Sequence, residues 1–130
     1  MGSLTQYSDI VEEVRDWLLD RAARSRSTET WLDPGIGFAK TSEQSLLLLR
    51  QTSALVQTGY PIYIGASRKS FIGRTLNLPS TESRLPGSIA AACMAFERGA
   101  QAFRVHDIAP TRQALDLIHI ASQPVSNSSC

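Results

Sequence analysis

The sequence predicts an α/β fold in which helices cover a small parallel sheet. Three short apolar runs that read as strands alternate with segments whose apolar residues recur at helical spacing. Each pair of strands is separated by a segment long enough to hold a helix, and such crossovers join parallel strands with right-handed connections. The 130 residues, 42% of them hydrophobic, are enough for one ordinary domain. The predicted order is helix, strand, helix, strand, helix, strand, helix.

The first helix is predicted over residues 8–25, with Asp9 as its N-terminal cap. A short strand in the segment TWLDPGIGF should then end at Asp33, because Pro34 has no N–H to donate to a sheet. The predicted apolar face of the helix consists of Ile10, Val11, Val14, Trp17 and Leu18.

The second helix begins after Thr41, whose hydroxyl can accept from the helix while Gln44 reaches back to form a capping box. Gly59 should end this helix, since glycine adopts the left-handed conformation of a helix terminus without strain. The second strand covers residues 62–64. A long connection, 67–87, follows it, and connections of this length are often functional.

Ser88 is the predicted cap of a third helix over residues 89–98. The third strand is predicted over residues 102–105, and Pro110 lies in the first turn of a final helix that runs to about residue 121. In this helix one side is predicted to be apolar, and it consists of Ala114, Leu117, Ile118 and Ala121.

Composition excludes several classes of protein. The net charge of +1 argues against a nucleic-acid-binding protein, and no apolar run approaches the roughly 20 residues that span a bilayer. We expect a soluble, cytoplasmic protein with no membrane partner, with Cys93 as a buried free thiol. Residues 1–6 are expected to be a tag or disordered, 7–122 the folded part, and 123–130 a flexible tail.

Polar residues follow each predicted strand. Asp33 ends the first strand, Lys69 follows the second, and Arg104 and His106 end the third. Because the carboxyl ends of parallel strands meet at one edge of a sheet, these groups should converge there. A carboxylate can accept hydrogen bonds from ring N–H groups, and cations can bind phosphate oxygens.

Each of these residues also has a simpler interpretation. Asp33 and Pro34 could form only a turn, Arg68 and Lys69 a solvated loop, and His106 could serve as a cap or in packing. Their recurrence at three successive strand ends favours a ligand site. With two histidines and two dispersed cysteines, no metal centre is predicted in this chain.

Four segments in order, LDPGIGFAKT, IGASRKSFIG, GSIAAACMAFERGA and FRVHDI, resemble the second half of dihydropteroate synthases. The resemblance runs from about Tyr7 to Ala121. It implies parallel βα units from a TIM (β/α)8 barrel, C-terminal half only, with about three strands and four helices. It also implies a transferase of folate biosynthesis, which condenses 6-hydroxymethyl-7,8-dihydropterin diphosphate with p-aminobenzoate and releases diphosphate. Sulfonamide drugs compete for the aminobenzoate position in this family.

The resemblance implies roles for seven residues, carried over by motif, with Lys69 and Arg104 as the catalytic pair. The implied pterin-binding residues are Asp33, Gly65, Lys69 and Arg104. The implied p-aminobenzoate-binding residues are Phe38, Ser67 and Lys69, and the implied diphosphate-binding residues are Arg104 and His106.

The chain departs from the family in its size, since a full barrel needs about 200 residues or more. We therefore expect a fragment with little activity alone, with the Mg²⁺ ligand in the N-terminal half that is missing here. Self-association through the C-terminal helices is expected, as in the family. Two alternatives stay open: a non-catalytic pterin- or anion-binding module, and a pterin-dependent methyltransferase relative.

Overall fold

The structure is a computed structural model and describes residues 9–124. This part of the chain has an α/β fold that is rich in helix around a short parallel sheet. The elements are α1 (Ile10–Arg24), α2 (Ser42–Arg50), α3 (Thr52–Val56), β1 (Tyr63–Ile64), α4 (Ser70–Leu76), a 3-10 helix (Glu82–Arg84), α5 (Leu85–Glu97), β2 (Ala102–Phe103) and α6 (Ile108–Ala121).

The sheet is parallel, as predicted. Strand β1 pairs with β2, with Ile64 opposite Phe103. The first predicted strand is reduced to one parallel bridge between Leu32 and Ile62, because the chain turns away at Pro34. The three segments therefore lie side by side with β1 in the middle, and their carboxyl ends face the same edge.

The predicted helix starts are confirmed at two positions. The Asp9 side chain accepts from the Glu12 amide at 3.1 Å, and Thr41 and Gln44 form the complete capping box of α2. Trp17 does not belong to the buried face of α1: it is 37% exposed, and the Arg21 guanidinium lies 5.1 Å from its ring centroid. The core is formed by buried residues that include Ile10, Val14, Leu18, Leu32, Ile36, Leu48, Leu49, Leu55, Ile62, Ile64, Phe71 and Ala95.

The segment 67–87 was predicted only as a long connection, but part of it is helical in the structure. It contains α4, the 3-10 helix and the first turn of α5, so the prediction of four helices is also wrong for the described residues. Ser88 is not a cap but lies inside α5, where its hydroxyl donates to the Arg84 carbonyl at 2.9 Å. Helix α4 ends at Asn77, whose φ of +58° gives the left-handed C-terminal conformation that asparagine tolerates.

The C-terminal helix packs on α5 and presents apolar residues to solvent. Leu117 was predicted on the packed side but is 68% exposed, whereas the buried residue of α6 is Thr111. Cys93 is only partly buried, so its prediction as a core thiol is wrong; burial raises its pKa, helped by the charge of Glu97. Within residues 9–124, none of the helices is both long and apolar enough to cross a membrane. The predictions for residues 1–6 and for the end of the tail lie outside the described residues.

Candidate functional site

A cavity of about 580 Å³ opens at the carboxyl edge of the sheet. All seven residues predicted from the sequence line it: Asp33, Phe38, Gly65, Ser67, Lys69, Arg104 and His106. Three further lining residues, Tyr63, Arg68 and Thr81, were not among the predicted site residues. The predicted convergence of the strand ends is thus what the structure shows.

The chain makes a tight turn after Leu32, and this turn forms one wall of the cavity. Hydrogen bonds to the amides of the turn hold it in place. The Asp33 carboxylate accepts from the Gly35 amide at 2.9 Å, which fixes the acid at the mouth of the cavity. The Gly37 amide donates to the hydroxyl of Ser45, a fully buried residue of α2, at 3.0 Å. Gly37 has a φ of +84°, and a Cβ there would lie 3.1 Å from the Lys69 side chain. Glycine is therefore required for both the turn and the close approach of the lysine.

A buried lysine braces this turn from behind. The Lys40 ammonium donates to the carbonyls of Gly35 at 3.0 Å and Phe38 at 2.9 Å. Burial lowers the pKa of Lys40, Asp33 opposes that shift, and Lys69 adds to it. The sequence reasoning missed this residue, although its presence in the segment DPGIGFAK was a signal: a cation directly after a glycine-rich turn can satisfy the carbonyls that the turn leaves unpaired.

Lys69 crosses the cavity and joins two walls. Its ammonium donates to the Ile36 carbonyl at 2.6 Å and lies 4.4 Å from the ring centroid of Phe38, in cation–π contact. Burial lowers the pKa of Lys69, the Asp33 carboxylate opposes the shift, and Arg104 adds to it. The 67% exposed ring of Phe38 leaves this lysine and the ring available together to a planar ligand.

Arg68, the neighbouring cation, has a different environment. Its guanidinium makes a bidentate ion pair with Asp107, with donor–acceptor distances of 3.0 and 2.7 Å. This hydrogen-bonded pair raises the pKa of Arg68 and lowers that of Asp107. The simpler interpretation of the sequence placed Arg68 and Lys69 together in a solvated loop; the structure ties Arg68 to the segment that follows β2.

Ser67 and His106 meet beside this ion pair. The Ser67 hydroxyl lies 2.9 Å from the imidazole Nδ1 and accepts from the His106 amide at 3.1 Å. The third strand was predicted over residues 102–105, but β2 ends at Phe103, so Arg104 and His106 lie beyond the strand. Both residues nevertheless line the cavity, because the Arg104 amide continues the pairing by donating to Ile64 at 2.9 Å.

Tyr63 and Thr81 enter the cavity from places that the sequence did not indicate. Tyr63 was predicted only as part of a strand, and Thr81 lies in the connection whose path was unknown. Within residues 9–124, no group of three or more His, Cys, Asp or Glu side chains is close enough together to hold a metal ion. What the cavity offers is one carboxylate, several cations and the aromatic rings of Phe38 and Tyr63, which suits a planar polar molecule that carries negative charge.

Comparison with known proteins agrees with this chemistry. Residues 1–106 match the family described as pterin binding enzyme. A dihydropteroate synthase of Synechocystis is 42% identical over 113 residues, which cover 83% of this chain and 39% of that protein. An inactive dihydropteroate synthase 2 of Mycobacterium bovis is 42% identical over 87 residues, covering 67% of this chain and 27% of the relative.

Solved structures show the same fold. Dihydropteroate synthase from Thermus thermophilus, in complex with 6HMPPP and in complex with 4-aminobenzoate, superposes with a TM-score of 0.85 at 35% identity in each case. The match covers 92% of this chain and 49% or 50% of the Thermus chain. The chain thus spans about half the length of that protein, or less in the case of the sequence relatives. With a family match that extends over most of its residues, this chain belongs to the pterin binding enzymes.

Proposed function

We propose that this chain is the pterin- and diphosphate-binding part of a dihydropteroate synthase, corresponding to the C-terminal half of a TIM barrel. The reaction joins the methylene carbon of 6-hydroxymethyl-7,8-dihydropterin diphosphate to the amine of p-aminobenzoate. The C–O bond to diphosphate breaks, the new C–N bond forms, and the amine loses a proton. One observation carries the proposal: in a chain of this family, Asp33, Lys69, Arg104 and His106 line one cavity.

Each proposed role follows from the chemistry of the residue and its place in the cavity. The Asp33 carboxylate accepts hydrogen bonds from N–H groups of the pterin ring. Arg104 and His106, which follow β2, bind the departing diphosphate; the fixed positive charge of Arg104 stabilises the negative charge that develops as the C–O bond breaks. Gly65 leaves room for the ring, since a Cβ there would lie 3.8 Å from the Lys69 ammonium and 3.9 Å from the Cβ of Arg104.

The second substrate is proposed to enter between Phe38, Ser67 and Lys69. The aminobenzoate ring packs against Phe38, and its carboxylate accepts from the Ser67 hydroxyl and the Lys69 ammonium. Lys69 would exchange its bond to the Ile36 carbonyl for bonds to the substrates. Holding the amine close to the methylene carbon contributes to the rate through orientation, and no protein nucleophile is needed.

Magnesium does not fit the described residues. Among the lining residues of the cavity the carboxylate is that of Asp33, and the nearby Asp107 is engaged by Arg68. No step is therefore assigned to Mg²⁺ in this chain, and its ligand is proposed to lie in the part of the relatives that this chain does not span. Full turnover would need that part as well.

A non-catalytic pterin-binding module is the second candidate. It is favoured by the 42% identity to a mycobacterial relative that is named an inactive dihydropteroate synthase 2. Both candidates bind a pterin, but only the first produces dihydropteroate.

Calorimetric titration with 6-hydroxymethyl-7,8-dihydropterin diphosphate tests the proposal. The unaltered chain should bind, and Asp33→Asn should weaken binding about tenfold or more, since a hydrogen bond to a charged group contributes about 1.5–3 kcal/mol. Asp20→Asn is the matched control, because Asp20 is an exposed acid on α1 that pairs with Arg24 at 3.4 Å, away from the cavity. Equal affinity for the two variants would remove Asp33 from the proposal, and no binding by the unaltered chain would contradict it altogether.

Turnover separates the two candidates. The chain is mixed with p-aminobenzoate, pterin diphosphate and Mg²⁺, alone and with a polypeptide that supplies the N-terminal half of a relative. Dihydropteroate formation that requires both polypeptides supports the synthase. Pterin binding without any product in the mixture supports the non-catalytic module.

A further inference from the structure

Arg84 lies beneath the turn that carries Ser67 and Lys69, outside the cavity itself. Its guanidinium donates to three carbonyls, those of Arg68 at 3.0 Å, Leu78 at 3.2 Å and Pro79 at 3.2 Å. The last two belong to the loop that follows α4, so one side chain joins that loop to the edge of the cavity. Arg84 has no place in the function proposed above.

Ser88 lies one turn after Arg84, in α5, and binds the backbone of Arg68 as well. Its hydroxyl accepts from the Arg68 amide at 2.7 Å and donates to the Arg84 carbonyl at 2.9 Å. The amide and the carbonyl of Arg68 are therefore both bound by the segment that runs from the 3-10 helix into α5.

The conformation of Arg68 explains why such bonds are needed. Its φ is +56°, a left-handed conformation that is unfavourable for residues with a Cβ. This conformation at Arg68 sends its two neighbours, Ser67 and Lys69, into the same cavity, while its own side chain reaches Asp107. The left-handed conformation changes the direction of the chain between Ser67 and Lys69, and so sets how their two side chains lie relative to each other in the cavity.

Gly73 provides the space that Arg84 occupies. A Cβ at Gly73 would lie 2.5 Å from the Arg84 Nε and 2.7 Å from its Cζ, which is closer than atoms can approach. The position of the guanidinium thus depends on a glycine in the middle of α4, and a methyl group there would displace it without touching the cavity.

We propose that Arg84 is a positioning residue: by holding Arg68 in its left-handed conformation together with Ser88, it keeps Ser67 and Lys69 directed into the cavity. The expected effect of Arg84 on ligand binding rests on the proposed function, whereas its effect on the backbone conformation of Arg68 does not. Arg84 acts through Arg68 and touches no substrate.

Two measurements on the full chain test this: hydrogen exchange of the Arg68 amide by NMR, and calorimetric affinity for the pterin diphosphate. The variants are Arg84→Ala, Arg84→Lys and Gly73→Ala. The matched control is Arg98→Ala, because Arg98 also donates to two carbonyls, those of Arg50 at 2.9 Å and Met94 at 3.2 Å, but does not line the cavity.

Arg84→Ala should accelerate exchange of the Arg68 amide about tenfold and weaken ligand binding by a similar factor, as expected for the loss of a local constraint. Gly73→Ala should reproduce both effects, and Arg84→Lys, which keeps a donor but not the planar fork, should restore part of each. Arg98→Ala should change neither measurement. If Arg84→Ala does not fold, the lysine and Gly73 variants carry the test.

Three results would overturn the proposal: unchanged exchange in the Arg84 and Gly73 variants, faster exchange with unaltered affinity, or equal effects from Arg98→Ala. Failure of the unaltered chain to bind the pterin diphosphate would contradict the proposed function instead. In that case exchange at the Arg68 amide still decides whether Arg84 holds the turn.

Discussion

Removing the Ser45 hydroxyl tests how far the turn after Asp33 depends on the helix behind it. Ser45 is fully buried, and its hydroxyl is the acceptor for the Gly37 amide at 3.0 Å. In Ser45→Ala that partly buried amide loses its partner, and an unsatisfied buried donor costs at most about 1–3 kcal/mol. Alanine is a better helix former than serine and returns up to about 0.5 kcal/mol within α2. The net loss in the free energy of unfolding should be about 0.5–2.5 kcal/mol.

Urea denaturation followed by circular dichroism measures this loss. With a slope of about 1–3 kcal/mol per molar urea, the midpoint should fall by roughly 0.2–2.5 M. Hydrogen exchange should show where the loss occurs, with the Gly37 amide accelerated more than the amides in the middle of α2. Ser53→Ala on the exposed side of α3 is the control and should lie within about 0.5 kcal/mol of the unaltered chain. The reasoning is refuted if the Ser45 and Ser53 variants are equally stable and Gly37 exchanges at its original rate.

Three further results are expected. Lys40 and Lys69 are the two lysines of the sequence, and ¹³C-lysine NMR should show that the pKa of each lies below 10.5, whereas pKa values at or above 10.5 would contradict this prediction. Between the lowered pKa and 10.5 the folded chain binds fewer protons than the unfolded chain. The free energy of unfolding should therefore increase as the pH rises through this window. The pKa of Asp107 is lowered in the folded chain, so its contribution to stability is present above pH 3.8 and is lost as the pH falls through the folded pKa. In urea titrations, Asp107→Asn should therefore lose less stability on acidification than the unaltered chain. Parallel curves of stability against pH for the two proteins would argue against a role for the pair with Arg68. Gly37→Ala should destabilise the chain by about 1–2 kcal/mol, because alanine is strained in the left-handed conformation, and a normal thermal midpoint would show that the turn can adapt.

The parts of the fold that the sequence predicted correctly depend on local chemistry. Thr41 and Gln44 form a capping box with each other, and Pro34 lacks the N–H that would extend a strand. The site was predictable for a topological reason: once the strands are parallel, residues that follow them must meet at one edge. Asp33 and Lys69 required only this rule.

The parts that could not be predicted depend on contacts between distant segments. Helix α4 is too short for a recurring apolar pattern, and Gly73 in its centre argues against a helix unless the position of Arg84 is known. Ser88 has the chemistry of a cap, but α5 begins before it, and its hydroxyl serves Arg68 instead. The bidentate partner of Arg68 lies 39 residues away, beyond the reach of any local pattern.

Adjacent cations in a sequence need not share a function, and backbone conformation separates these two. If Arg68 were extended, side-chain alternation would direct Lys69 and Arg68 to opposite faces of a strand, and only one could approach a ligand. The left-handed turn at Arg68 instead directs its guanidinium to Asp107, and so joins the end of β1 to the segment after β2. The Lys69 ammonium can then donate to the Ile36 carbonyl, in the turn that follows Leu32. One residue therefore connects the walls of the cavity and the next occupies the space between them, which is why two consecutive cations at the end of a core strand are compatible with a packed sheet.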